Sequence, residues 1–184
     1  MLDAVPPASP STRPGPSRPR RSPLLARAFA VPALLGVVAA TAACAPSIGV
    51  PVADDAQNPL CADVVLALPE TLGEDLAKVG TTSQATAAWG EPGAAVTLRC
   101  GVEVPGPTTT TCQSVESDGG TVDWLVVEDE GTWTFTTYGR DPAVQVVVPP
   151  AVTEDHSTSF IADLGRAVME VPQTRACVGT GDVG

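Results

Sequence analysis

The sequence predicts an α+β domain: an antiparallel meander of four to five strands, packed by an N-terminal and a C-terminal helix. Between residues 94 and 148, short apolar runs alternate with polar residues at strand period. Turn residues separate those runs, as at Ser117-Asp118-Gly119-Gly120 and Asp129-Glu130-Gly131. Flanking them, residues 58–68 and 153–170 place their apolar side chains at helical spacing. Helix, hairpin-connected strands and helix is the order of an α+β layer structure.

Residues 1–43 read as a targeting segment. The first part is rich in Pro and Ser and holds Arg13, Arg18, Arg20, Arg21 and Arg27, a composition that makes no core. Residues 29–44, FAVPALLGVVAATAAC, have the length of a signal h-region. The run is short of the about 20 residues that span a bilayer, and Pro32 interrupts it. Its end, Thr41-Ala42-Ala43-Cys44, resembles a bacterial lipobox, with Thr41 where leucine is usual. On that reading Cys44 is the lipidated first residue of the mature chain. Acyl chains contribute about 0.8 kcal/mol per buried CH₂, so several of them anchor firmly. Two other readings stand. Residues 24–43 read as an uncleaved single-pass anchor with Arg27 snorkelling at its edge. Ala40-Thr41-Ala42 reads as a cleavage site that secretes the chain. The lipoprotein reading comes first, then the uncleaved anchor, then release. Both anchored readings leave the arginines in the cytoplasm and the domain on the extracytoplasmic face.

Residues 44–57 lack periodicity and read as a flexible tether. The domain proper is expected over 58–177, with 178–184 as a disordered tail. Asn58-Pro59 marks a helix start, with Asn as cap and Pro at the first helical position. Cys61, Val64, Val65 and Leu68 then share one face, and Pro69 ends the helix. Leu72, Leu76 and Val79 suit a second short helix weakened by Gly73, and residues 81–88 read as a loop. Strands follow at 94–100, 112–115, 122–127, 132–138 and 143–148. A final helix from about 153 to 170 carries Phe160, Ile161, Leu164, Ala167 and Val168 as its apolar stripe.

Charge narrows the function classes. Residues 44–184 hold five basic and 20 acidic side chains, a net charge of −15. Such a surface repels nucleic acid and anionic lipid headgroups, so the expected membrane contact is the anchor itself. The cysteines fit an extracytoplasmic domain. With Cys44 taken for lipid, Cys61, Cys100, Cys112 and Cys177 allow two disulfides in three pairings. Cys100–Cys112 and Cys61–Cys177 are preferred, one closing a short Pro/Thr loop and the other tying the domain's ends.

Residues able to carry chemistry are few. His156 is the sole histidine. Asp155-His156-Ser157 invites a hydrolase reading, but sequence adjacency is not triad geometry and no nucleophile elbow surrounds a serine. No cofactor or metal is expected: the cysteines lack CxxC spacing, and Glu128-Asp129-Glu130 and Asp54-Asp55 do not form a calcium loop. Arg99 and Arg140 stand at strands or strand ends, where a guanidinium fork captures a carboxylate or pairs internally. Trp89 and Tyr138 are expected as exposed aromatics, and Trp133 as a core residue.

An ordered set of short motifs carries a family resemblance. Ala87-Ala88-Trp89-Gly90-Glu91-Pro92, Leu98-Arg99-Cys100-Gly101, Val122-Asp123-Trp124-Leu125 and Thr137-Tyr138-Gly139-Arg140-Asp141-Pro142-Ala143-Val144 resemble the actinobacterial proteins called domain of unknown function 3515. The resemblance covers roughly residues 58–177. It implies a small secreted or lipid-anchored envelope protein with no established activity, so it transfers no catalytic residue. Its matched positions Trp89, Arg99, Cys100, Trp124, Tyr138 and Arg140 are where a shared surface is sought, and the expected binding patch is Trp89, Arg99, Tyr138 and Arg140. The expected function is a non-enzymatic binding or accessory module of the cell envelope, with an envelope protein or a cell-wall component as partner. The alternative is a small envelope-acting hydrolase using His156 or a carboxylate pair.

Overall fold

The structure, a computed structural model, describes residues 46–178. The signal-like run and Cys44 lie outside the described residues, as does most of the expected tail. Nine strands form one mixed sheet. They are β1 (Ser47–Ile48), β2 (Thr71–Leu72), β3 (Leu76–Thr81), β4 (Thr86–Glu91), β5 (Ala94–Val102), β6 (Cys112–Ser117), β7 (Gly120–Asp129), β8 (Thr132–Thr137) and β9 (Ala143–Val148). The order is β1-β3-β4-β5-β9-β8-β7-β6, with β2 paired to β3 off this path. β1 runs parallel to β3, and the remaining pairs are antiparallel.

This corrects the expected four-to-five-strand meander with two flanking helices. Strands β6 to β9 are a meander, but β9 then pairs with β5 rather than ending the sheet. The extra strands come from residues 71–91, where Leu72, Leu76 and Val79 matched helical spacing. Gly73, at φ +57, instead lets the chain fold so that Leu72 pairs with Leu76. Pairing of Lys78 with Trp89 and Val79 with Ala88 then satisfies a backbone that three apolar positions at helical spacing could not hold in a short helix.

The N-terminal helix α1 (Pro59–Ala67) forms as its cap foretells: Asn58 Oδ1 accepts from the Leu60 amide at 3.1 Å. The expected C-terminal helix is broken. It becomes α2 (Pro150–Thr153), a 3₁₀ helix (Thr158–Leu164) and α3 (Gly165–Val168). Ser157 has an extended backbone, and its hydroxyl accepts from the Ser159 amide, so the side chain replaces a helical bond. The apolar stripe still does its work. Phe160, Ile161, Leu164, Ala167 and Val168 are buried with Val64 of α1 and its C-cap Leu68 against Val96, Leu98, Val122, Trp124, Val144, Val146 and Val148.

Residues 46–57 are not a tether. β1 joins the sheet, and Val50, Ala53 and Ala56 are buried. The Asp55 amide donates to the Gly101 carbonyl at 3.0 Å, and a Cβ on Gly101 would run into the Asp55 backbone.

The four cysteines pair as Cys61–Cys100 and Cys112–Cys177, not as Cys100–Cys112 and Cys61–Cys177. Sheet order is the reason. Strands β9, β8 and β7 lie between β5, which carries Cys100, and β6, which carries Cys112. Four strand spacings separate such residues by about 19 Å, far beyond disulfide reach. Cys61 instead projects from the buried face of α1 onto Cys100 of the sheet, with the Cα atoms 5.5 Å apart.

Candidate binding groove on the outer face of the sheet

The pleat sends alternate residues of β5, β9, β8 and β7 away from the core. Register then aligns them across strands. Arg99 lies opposite Gln145, Gln145 opposite Thr136, and Thr136 opposite Leu125. The neighbouring row is Thr97, Val147, Thr134 and Val127. The connection from β5 to β6 must pass from mid-sheet to the far edge, and it does so over this face. Residues 102–106 and Thr110 of that connection, with Arg99, Gln145, Thr136, Leu125 and Val127, enclose a groove of about 390 Å³.

Arg99 is held in one orientation. Its Nε and Nη2 both donate to Gln145 Oε1, at 2.9 and 2.7 Å. Gln145 Nε2 in turn donates to Thr136 Oγ1 at 3.4 Å. The internal salt bridge that so acidic a chain invites does not form: among the described residues, no carboxylate makes an ion pair with Arg99.

Arg140 has the opposite situation. It is 4 % exposed, in the connection between β8 and β9, where it bridges to Gln173 of the C-terminal segment. Its Nη1 donates to the Val171 carbonyl, and its Nη2 to Gln173 Oε1 at 3.4 Å. Gln173 Nε2 donates to Asp123 Oδ2 at 2.8 Å, so one amide bridges the buried cation and the buried anion. Burial lowers the Arg140 pKa from its ordinary value, and the attraction of Asp123 opposes that shift. Asp123 also accepts from Ser114 Oγ at 2.5 Å and from the Cys177 amide at 2.8 Å.

The expected surface of Trp89, Arg99, Tyr138 and Arg140 is therefore not one surface. Trp89 is 0 % exposed and donates from Nε1 to the Pro69 carbonyl at 2.9 Å. Arg140 is a structural ion. Tyr138 is half-buried, with the Arg175 guanidinium 5.7 Å from its ring centroid. Arg175 also donates to the Pro105 carbonyl at 3.4 Å, which fixes the loop over the groove. Only Arg99 of the four presents an uncommitted charge to solvent. Sequence reading missed Gln145, Thr136 and Asp123. The first two were visible as outward positions of alternating strands, and Asp123 as the one acid in the apolar stretch 122–127.

His156 is brought to Asp75, not to a serine. Its Nε2 lies 2.9 Å from Asp75 Oδ1, and its Nδ1 lies 3.2 Å from the Val152 carbonyl. The Asp75 hydrogen bond raises its pKa, desolvation opposes that shift, and the Val152 carbonyl adds to it. Both ring nitrogens are thus occupied by oxygen atoms of Asp75 and Val152, and neither faces a serine hydroxyl. Ser157 Oγ is occupied at the Ser159 amide. Among the described residues, no group of three or more His, Cys, Asp or Glu side chains could hold a metal ion.

Residues 24–177 match the family described as Protein of unknown function (DUF3515). The chain belongs to this family. No curated protein and no solved structure matches it. The matched span of the DUF3515 chain contains the whole groove and both disulfides. Two disulfides suit an oxidising, extracellular environment. Among the described residues, no helix of the DUF3515 chain is long and apolar enough to cross a membrane.

Proposed function

We propose that this DUF3515 protein is a lipid-anchored, extracytoplasmic module of the cell envelope that acts by binding rather than by catalysis. The groove carries this reading. It holds an oriented guanidinium without an acidic partner, beside apolar side chains that remain partly open to solvent. Val127, on the groove wall, is 49 % exposed. The partner class is an envelope protein or a cell-wall component, and Cys44 supplies the membrane contact. The histidine version of a hydrolase finds no support, because the ring of His156 is engaged on both sides.

Two measurements test the reading. Crosslinking and pull-down from native membranes should recover a partner with wild type and lose it with Arg99→Ala. Retention of the same partner by that variant would remove the groove from the account. For the anchor, the intact mass of the mature protein should exceed the polypeptide by acyl chains, and Cys44→Ser should remove that excess. An unmodified Cys44 overturns the lipid anchor alone.

A further inference from the structure

We infer that the Arg99 groove is a carboxylate-binding subsite, and that its ligand carries an apolar group next to the carboxylate. The inference rests on the binding-module reading and names the ligand chemistry of that same groove.

Charge placement is the first argument. Residues 44–184 carry 20 acidic side chains and five basic ones. Within the described residues, Lys78 pairs with Glu70, Arg140 is bridged to Asp123, and Arg175 lies over Tyr138. Arg166 shares its surface with Glu116, Asp118 and Asp163. Among the described residues Arg99, like Arg166 and Arg175, makes no ion pair, and it is the one of the three held by a side-chain amide within a groove lined by apolar residues. Glu103 on the overlying loop is exposed and the one acid lining the groove, and it makes no ion pair with Arg99.

Donor geometry is the second. Gln145 Oε1 takes the Nε–Nη2 side of the guanidinium. The Nη1–Nη2 edge, which matches the two oxygens of a carboxylate, keeps its donors. Gln145 cannot turn its oxygen away without losing both bonds from Arg99. The Thr136 hydroxyl accepts from Gln145, so its own proton is left to donate. The row Arg99, Gln145, Thr136 thus presents N–H and O–H groups, the complement of an acceptor-only ligand.

The third is what surrounds those donors. Leu125 and Val127 form one wall, and Val104 and Pro105 the other, a lining suited to a small aliphatic group. One guanidinium balances one negative charge. A phosphate dianion would face a single arginine, a nearby Glu103 and a domain of net charge −15. A monocarboxylate needs no second cation.

The test uses the full chain, ¹⁵N-labelled, in a non-ionic detergent. It is titrated with N-acetyl-leucine and with N-acetyl-leucinamide, which removes the charge and keeps the apolar group. The acid should shift the amides of Arg99, Leu125, Val127, Thr136 and Gln145 saturably. The amide should bind at least about tenfold more weakly, the worth of one charge-assisted pair. Arg99→Gln should lose the same factor while its spectrum away from the groove stays that of wild type. Arg99→Lys, which keeps the charge and loses the fork, should fall between. Equal binding of acid and amide, shifts centred on Arg166 or Arg175, wild-type binding by Arg99→Gln, or no saturable shift with any ligand would each overturn the inference. N-acetyl-Ala-Ala-Leu with a free terminus then separates the sources. Tighter binding than N-acetyl-leucine indicates a peptide C-terminus, and equal binding a small acid. If the carboxylate titration fails while Arg99→Ala still loses its partner in the pull-down, the ligand class falls and the binding-module reading survives.

Discussion

Arg140 and Arg99 end up on opposite sides of one physical divide. Arg99 lies within β5 and Arg140 in the connection between β8 and β9, and both come from short motifs that look alike as candidates for anion capture. Arg140 lies beneath the C-terminal segment, bound to the Val171 carbonyl and linked to Asp123 through Gln173. Arg99 lies on the open face, fixed by Gln145 and lacking a carboxylate. The difference is what crosses over each. The Cys112–Cys177 disulfide pins residues 172–177 across the β6–β7–β8 end of the face. The β5–β6 connection merely rims the rest. A buried charge must be paired, whereas a half-exposed one can wait for a ligand.

The comparison breaks most readily at Arg140. Arg140→Ala should destabilise the oxidised protein by about 3–5 kcal/mol, since it leaves Asp123 buried without its cation. Urea unfolding measures this, and a loss below about 1 kcal/mol would mean the pair is not structural. Next comes the strap's anchor. Cys112→Ala with Cys177→Ala should lower stability by about 2–4 kcal/mol and speed amide exchange over residues 172–177. The Arg99–Gln145 row should keep its chemical shifts. Gly139→Ala follows. Gly139 sits at φ +73, and a Cβ there would run into the Arg175 backbone. We expect a loss of about 1–3 kcal/mol, with displacement of the strap visible as lost protection at Cys177.

Arg99→Ala sharpens the comparison from the other side. Its stability change should stay within about 1 kcal/mol, because a half-exposed arginine bonded to a neutral amide contributes little to folding. A loss as large as that of Arg140→Ala would make Arg99 structural too. The smallest effect belongs to His156, far from both. Its folded pKa is raised, chiefly by the Asp75 hydrogen bond. Its contribution to stability is therefore complete below the unfolded value of about 6.5 and disappears as pH rises through the higher folded value. Unfolding midpoints of wild type and Asp75→Asn, compared from pH 5 to 9, should differ at the acid end and converge at the alkaline end.

Legibility in the sequence followed range. Local signals were sound: the Asn58 cap, the alternation in β5, β8 and β9, and the apolar stripe between Phe160 and Val168. Residues 71–91 misled because three apolar positions at helical spacing are also compatible with short paired strands. The broken C-terminal helix misled because Ser157 and Ser159 compete with the backbone for hydrogen bonds. Trp89 was read as exposed because nothing near it in sequence shows that the Pro69 carbonyl receives its indole.

The sequence by itself determined the composition of the domain, its acidity, its family and the presence of disulfide-capable cysteines, since those depend on residue identity and near neighbours. It also placed Arg99 on a strand, on the face opposite to Val96, Leu98 and Cys100, because the two-residue period of a pleat is local. Tertiary structure alone decided which cysteines meet and which arginine is free. Both depend on strand order, which brings β9 beside β5 and sends β6 to the far edge. No residue's neighbours along the chain encode that order. It follows from burying one continuous apolar face, and that burial left Arg140 under the strap and Arg99 in the open groove.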